Sequence, residues 1–169
     1  MFTLLPEPVN MEIEGSSSLL AGDITTCFSP DSSPLPPPGV FPAELQLVQK
    51  KSRAKLWVSM DRGIEVRAEG YLLEISNHRI TLVGKDRAGL LYGFMTLGQL
   101  MEDAAEQEVP LPVCRIRDYP LLSYRAIHLD MKHHLEKREY YHQLLDNLAR
   151  CKINAVIAEM EDKLAYERQ

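Results

Sequence analysis

The stretch KDRAGLLYGFMTLGQLMEDA (85–104) decides the fold of most of the chain. Asp86 is suited to cap a helix, because its carboxylate can accept from backbone N–H groups that the first turn leaves unbonded. Leu90, Phe94, Leu97 and Met101 recur at i, i+4, i+7 and i+11 and share one face. Leu91, Tyr92, Met95 and Leu100 cover much of the rest. A helix apolar nearly all round must be covered on more than one side. Gly89, Gly93 and Gly98 each lower helix propensity by up to ~1 kcal/mol, a cost that close packing can offset. Gly89-x-x-x-Gly93 is no membrane dimer motif, since the segment is too short and too flanked by charge. The stretch predicts a helix sandwiched between a sheet and a second layer.

Upstream of it, VNMEIEG (9–15), DITTCF (23–28) and KLWVSMD (55–61) read as strands. GYLLEIS (70–76) and RITLVG (79–84) read as a hairpin across Asn77 and His78, with Tyr71, Leu73 and Ile75 alternating against Leu72, Glu74 and Ser76. PAELQLVQKKSR (42–53) predicts a surface helix with Leu45 and Val48 on a narrow stripe. SPDSSPLPPPGVFP (29–42) holds six of the eleven prolines, which excludes helix and central strand and predicts an exposed, extended loop. Strands followed by a segregated helix argue for an α+β domain over residues 1–117, a mostly antiparallel sheet with helices on one face.

The pattern changes after VPLPVCRIRDYP (109–120). LSYRAIHLD (122–130) reads as a strand, EKREYYHQLLDNLARCK (136–152) as an amphipathic helix with Tyr141, Leu144, Leu145 and Leu148 on one face, and INAVIAEMED (153–162) as a second strand. Both strands carry long apolar runs, as buried parallel strands do. Residues 118–169 are therefore expected to form a β-α-β unit with a right-handed crossover, which needs further strands on either side.

The totals bound the function. The 169 residues carry a net charge of -5, which argues against a nucleic-acid partner that reads a basic surface. No apolar run approaches ~18 residues, so no membrane-spanning helix is expected. MFTLLPEPVN lacks a basic region and a long apolar one, so no signal peptide is expected, and a cytoplasmic location follows. Cys27, Cys114 and Cys151 are odd in number and widely spaced, which fits buried thiols better than disulfides or a C-x-x-C metal site. His128, His133, His134 and His142 show no zinc-type spacing, so neither a metal nor another cofactor is expected.

RAGLLYGFMTLGQL (87–100), RDYPLLSYRAIHLDMKHH (117–134) and INAVIAEMED (153–162) together resemble the family 20 glycoside hydrolases, the β-N-acetylhexosaminidases. The family's helix A-G-x-x-Y-G-x-x-T-L-x-Q-L is matched at Ala88, Gly89, Tyr92, Gly93, Thr96, Leu97, Gln99 and Leu100. Its D-x-P-x-x-x-x-R-G is matched at Asp118, Pro120 and Arg125, with Ala126 in place of glycine. Its L-D-x-x-R-H is matched at Leu129, Asp130 and His134, with His133 in place of arginine. The opening LPEPVNMEIEG (5–15) is similar to the family's L-P-x-P start. In the second strand Asn154 and Asp162 hold the family spacing, but Ala158 and Glu159 replace Trp and His. That variant, AEMEDKLAYE, is similar to the hexosaminidase-D-like branch.

The resemblance implies an N-terminal α+β domain followed by the first β-α-β unit of an incomplete (β/α)₈ barrel. It implies removal of terminal N-acetylhexosamine by a substrate-assisted retaining mechanism, and a carbohydrate as the partner. The catalytic Asp-Glu pair of the family belongs to the fourth barrel strand, so no catalytic residue is assigned among these 169, and the chain alone is expected to be inactive. Functional groups of such barrels sit at the C-terminal ends of strands. Candidate substrate-binding residues are Arg125, Asp130, His134, Glu159 and Asp162, with Arg125 implied to bind two sugar hydroxyls. For Arg125 an ion pair with Asp130 or Asp162 is the alternative, and for Asp130 and His134 a structural role. Trp57 and the Tyr140/Tyr141 pair could form a sugar platform, but core packing is the expected role. Two unpartnered barrel strands would also expose sheet edges, so self-association of the chain is expected. Two rival readings stand beside the enzyme: a non-catalytic carbohydrate-binding domain, and a protein-interaction domain that uses the proline segment.

Overall fold

The computed structural model of the chain describes residues 2–31, 33–37, 41–132 and 135–160. It divides into two compact units, Met1–Leu121 and Leu122–Gln169.

The first unit is built on a seven-stranded sheet: β1 (Asn10–Ser16), β2 (Thr26–Phe28), β3 (Gln46–Leu47), β4 (Leu56–Met60), β5 (Tyr71–Ile75), β6 (Ile80–Gly84) and β7 (Pro112–Asp118). Their order is β1-β7-β5-β6-β4-β2-β3. The expected hairpin is present, with β5 antiparallel to β6 from Tyr71↔Gly84 to Ile75↔Ile80. The sheet is mixed rather than mostly antiparallel. The β1–β7, β5–β7 and β5–β6 pairs are antiparallel, whereas β4–β6, β2–β4 and β2–β3 are parallel. The reason is non-local: the segment after β4 returns through β5, so β4 and β6 meet side by side with β5 beyond them.

The helix α1 (Arg87–Glu106) begins where expected, with the Asp86 side chain accepting the Gly89 N–H. It is the one α-helix among the described residues of this unit, accompanied by two short 3-10 turns, Ala21–Asp23 and Lys51–Arg53. Its sheet-side partners are Tyr71, Leu73, Ile75, Ile80, Leu82, Leu56 and Val58, all essentially inaccessible, which is the face that period-two alternation assigns to the core. The outer face of the sheet is polar, with Arg115 lying between Glu14 and Glu74 at 3.5 Å from each.

The second layer over α1 corrects the reading of the proline segment as an exposed loop. Ser33 and Phe41 are buried, and Phe41 packs edge-on against Phe94 with ring centroids 5.6 Å apart. Leu35, Pro36 and Pro37 line a groove with Ala88 and Leu91 of α1. A proline segment lacks N–H donors to leave unpaired, so it can lie on an apolar helix at little desolvation cost. Ser33 and Phe41 are thus buried while Pro30, Asp31, Pro37 and Pro42 stay exposed, so the segment is half docked on the fold rather than a wholly exposed loop.

Two other expectations fail. Residues 42–53 form no α-helix. Gln46 N–H donates to the Thr25 carbonyl and Val48 N–H to the Cys27 carbonyl at 2.9 and 2.8 Å, so the segment becomes an edge strand. A stripe of two apolar residues behind Pro42 could not outweigh that pairing. Trp57 is not a core residue. Its indole lies between Lys51 Nζ and Arg79 Cζ, 3.8 and 3.7 Å from the ring centroid. Two cations this close to one centroid must take opposite faces, so the ring is also closed to stacking on a sugar.

The second unit holds β8 (Ala126–Asp130), α2 (Arg138–Arg150) and β9 (Ala155–Glu159). β8 and β9 pair in parallel, from Ala126↔Ala155 to Asp130↔Glu159, so the β-α-β unit is present. Neither strand contains a buried residue, and neither does α2. The burial expected of such strands is unmet because a two-stranded sheet covers at most one face with its single helix. Tyr140 and Tyr141 form an edge-to-face pair with centroids 5.5 Å apart on this helix, and Tyr140 is exposed.

Candidate functional site

The C-terminal ends of β8 and β9 bring together four polar side chains. His128, Asp130 and Lys132 alternate along one face of the strand and its exit. The register then sets Asp130 opposite Glu159. Lys132 Nζ lies 2.8 Å from Glu159 Oε1 and 3.7 Å from Asp130 Oδ2. His128 Nε2 lies 2.9 Å from Glu159 Oε2. The backbone fixes the turn as well: Lys132 N–H donates to Asp130 Oδ1, and Met131 N–H to the Glu159 carbonyl, both at 2.9 Å. The Lys132 hydrogen bond is the main cause holding Glu159 below the usual carboxylate range. The same bond is the main cause raising Lys132. The cluster is thus an ionised, acceptor-rich rim at a strand end.

Of the sequence candidates, Asp130 and Glu159 meet here. His134 and Asp162, like His133 and Glu161, lie outside the described residues. Arg125 sits at the other end of β8, roughly 16 Å along the strand at ~3.3 Å per residue. Its Nε donates to the Lys152 carbonyl at 2.7 Å and its Nη1 to the Leu122 carbonyl at 2.6 Å. Lys152 adopts a positive φ of 59° where α2 ends, and Ile153 N–H closes that end on the Leu148 carbonyl. Arg125 therefore ties the strand entry to the left-handed turn that launches β9. Asn154 completes the tie, accepting from Arg125 N–H at 2.9 Å and donating to the Ser123 carbonyl at 2.8 Å. Lys132 and the contact of His128 with Glu159 are not among the sequence candidates, although the i, i+2, i+4 spacing of His128, Asp130 and Lys132 places the three on one face.

The motif residues of the first unit prove to be packing and clamping groups. A Cβ on Gly89 would lie 2.0 Å from the Gly70 carbonyl oxygen, and one on Gly93 2.3 Å from Leu82 Cδ1. Thr96 Oγ1 and Asp118 Oδ2 share the buried Tyr71 hydroxyl at 2.6 and 2.9 Å. Burial first, and then the Asp118 charge, push the Tyr71 phenol well above its ordinary value, so it stays a donor. Asp118 Oδ1 also accepts the Val9 N–H at 3.1 Å, while Gln99 accepts from Leu5 N–H and donates to the Leu5 carbonyl at 2.7 and 2.8 Å. The L-P-x-P segment is thereby pinned to α1 and to the end of β7.

Comparison with known proteins places the chain in a family. The family model described as glycosyl hydrolase family 20, domain 2, matches residues 3–119. A β-hexosaminidase of Porphyromonas gingivalis is 29% identical over 117 residues, covering 66% of this chain and 15% of that protein. A β-N-acetylhexosaminidase of Cellulomonas fimi is 23% identical, covering 72% of this chain and 24% of its own length. Among solved structures, the β-N-acetylhexosaminidase of Bacteroides fragilis superposes with a TM-score of 0.73 at 20% identity, over 92% of this chain and 32% of that one. A mutant Streptomyces plicatus β-hexosaminidase in complex with its product GlcNAc gives a TM-score of 0.71 at 22% identity, over 92% and 34%. The chain thus spans about a third or less of these relatives. A family match over well more than half of its residues shows that the chain belongs to glycoside hydrolase family 20 and carries that family's domain 2.

Proposed function

We propose that the chain is the N-terminal part of a glycoside hydrolase that removes terminal N-acetylhexosamine (GlcNAc or GalNAc) from glycans. The second unit is then the opening β-α-β of a (β/α)₈ barrel. The observation that carries this reading is the polar rim of Asp130 and Glu159, at the C-terminal ends of parallel strands that directly follow a family 20 domain 2. The structural likeness covers 92% of the chain, more than Met1–Leu121 alone could supply, which supports the same reading.

In this mechanism the substrate's acetamido oxygen attacks the anomeric carbon, a glutamic acid protonates the leaving group, and an adjacent aspartate orients the acetamido group. Those two acids belong to a later strand, so the 169 residues alone do not catalyse. Their part is to bind the sugar. Asp130 and Glu159 accept from hydroxyls, and the family resemblance adds Arg125, His134 and Asp162. The partner in this reading is a carbohydrate, as the acceptor-rich rim and the family resemblance support. Without the rest of a barrel, the chain self-associates through β8 and β9.

A chromogenic aryl N-acetyl-β-glucosaminide tests the reading. A protein that carries this chain followed by a complete barrel should release the aryl group, and the 169-residue chain should not. Release by neither protein would refute it.

A further inference from the structure

We propose that Lys132 is a positioning residue of this rim, holding Glu159 as an ionised acceptor for sugar hydroxyls; the sugar part rests on the glycosidase reading above. The register gives the reason a cation is needed. Asp130 and Glu159 face each other on strands whose backbones lie ~4.8 Å apart. Two carboxylates so placed repel, and one of them is driven toward its neutral form. Lys132 Nζ, 2.8 Å from one and 3.7 Å from the other, removes that conflict.

Its place is set by the backbone rather than by a flexible stem alone. The Lys132 N–H closes an Asx turn on Asp130 Oδ1, the Met131 N–H is bonded to the Glu159 carbonyl, and the Met131 side chain is buried. The Lys132 ammonium is held between the two carboxylates, 2.8 Å from Glu159 Oε1 and 3.7 Å from Asp130 Oδ2. Glu159 is then gripped on both oxygens, by Lys132 on Oε1 and by His128 on Oε2. Each carboxylate oxygen has a second lone pair, so a carboxylate braced in this way still accepts from a ligand. It carries no proton to donate. Glu159 is thereby assigned to recognition and excluded as a general acid.

The test has two arms. In the first, the side-chain carboxyl carbon of Glu159 is followed by NMR through an acid titration of the 169-residue chain. The midpoint should lie below that of an ordinary glutamate, move up in Lys132→Met, and return in Lys132→Arg. An unmoved midpoint in a Lys132→Met protein with a native amide spectrum overturns the proposal. In the second, Lys132→Met in the protein with its complete barrel should raise KM for the aryl glycoside about tenfold, the cost of one weakened charge-assisted bond. kcat should change little, and Lys132→Arg should restore most of the loss. An active enzyme whose KM ignores Lys132→Met also overturns the proposal. An inactive wild-type enzyme overturns the glycosidase reading and the sugar role with it, while the titration still decides the bracing of Glu159.

Discussion

Gly89→Ala measures how closely α1 approaches the sheet. The added methyl would lie 2.0 Å from the Gly70 carbonyl oxygen, 2.8 Å from its carbon and 3.0 Å from the carbonyl carbon of Glu69. These are backbone atoms, and they cannot swing away. The Gly70 carbonyl accepts the Lys85 N–H at 2.9 Å, and Glu69 N–H donates to Asp86 Oδ2 at 2.8 Å. The first turn of α1 must lift instead, straining the 2.8 Å cap from Gly89 N–H to Asp86 Oδ1. Helix propensity alone would stabilise the alanine variant by ~1 kcal/mol. Overpacking costs ~1–3 kcal/mol and a weakened cap ~0.5–2 kcal/mol, so a net loss of about 1–3 kcal/mol is expected. Trp57, the single tryptophan, reports on the first unit in urea titrations of the whole chain. With a slope of ~2 kcal/mol/M the midpoint should fall by about 0.5–1.5 M. Gly98→Ala is the control. There the methyl would meet only the Pro42 ring at 3.1 Å and Phe41 at 3.6 Å, so the outcome should fall within ~0.5 kcal/mol of neutral. A Gly89→Ala protein as stable as wild type would refute the close-approach argument.

Three further outcomes are expected. Tyr71→Phe strips a buried donor from Asp118 and a partner from Thr96, and should cost ~1–3 kcal/mol in the same urea assay; a change below ~0.5 kcal/mol would mean that the network is slack. For Asp31, burial works to raise the carboxyl, but bonds from the Ser33 hydroxyl, the Met60 N–H, the Ser29 hydroxyl and the Ser33 N–H overcome it and hold it below the usual value. A depressed folded value means that this anchor is at full strength above the unfolded carboxyl's ~3.9 and is lost as pH falls below it. The protection factor of the Met60 amide, which donates to Asp31 Oδ2 at 2.9 Å, should therefore fall on acidification in wild type and should be low at all pH in Asp31→Ala. Burial pushes the Cys27 and Cys114 thiols up to about 12 and about 11, while Cys151 is exposed. An aromatic disulfide reagent at neutral pH should modify Cys151 alone in the native protein and all three thiols in denaturant, and early labelling of Cys114 would show that β7 opens.

The elements legible in the sequence are those set by local periodicity. The cap at Asp86, the length of α1 and the β5–β6 hairpin need only near neighbours along the chain. β7 carries the same kind of signal, with Cys114, Ile116 and Asp118 facing the core and Arg115 and Arg117 facing out, a period of two between its prolines. Its place in the sheet is not legible locally, because its two partners, β1 and β5, lie far away in sequence. The proline segment was misread for a related reason. Its composition excludes helix, but only the apolar back of α1 says where it goes. The same distinction divides the site. Asp130 and Glu159 were readable as strand-end acids, whereas the ion pair with Lys132 depends on a register that brings position 130 opposite 159. For Arg125 the bond to the Leu122 carbonyl is local, whereas the bond to the Lys152 carbonyl depends on a helix end 27 residues away.

The central claim, that this family 20 domain serves a glycosidase, is tested most directly on the native protein. It would be captured from the cells that make it with an antibody to the first unit, sized, and assayed on the aryl N-acetyl-β-glucosaminide. A protein of roughly 40 kDa or more, large enough for a barrel of ~250 residues, that releases the aryl group is the predicted result. A product no larger than these 169 residues, with no release, would contradict it.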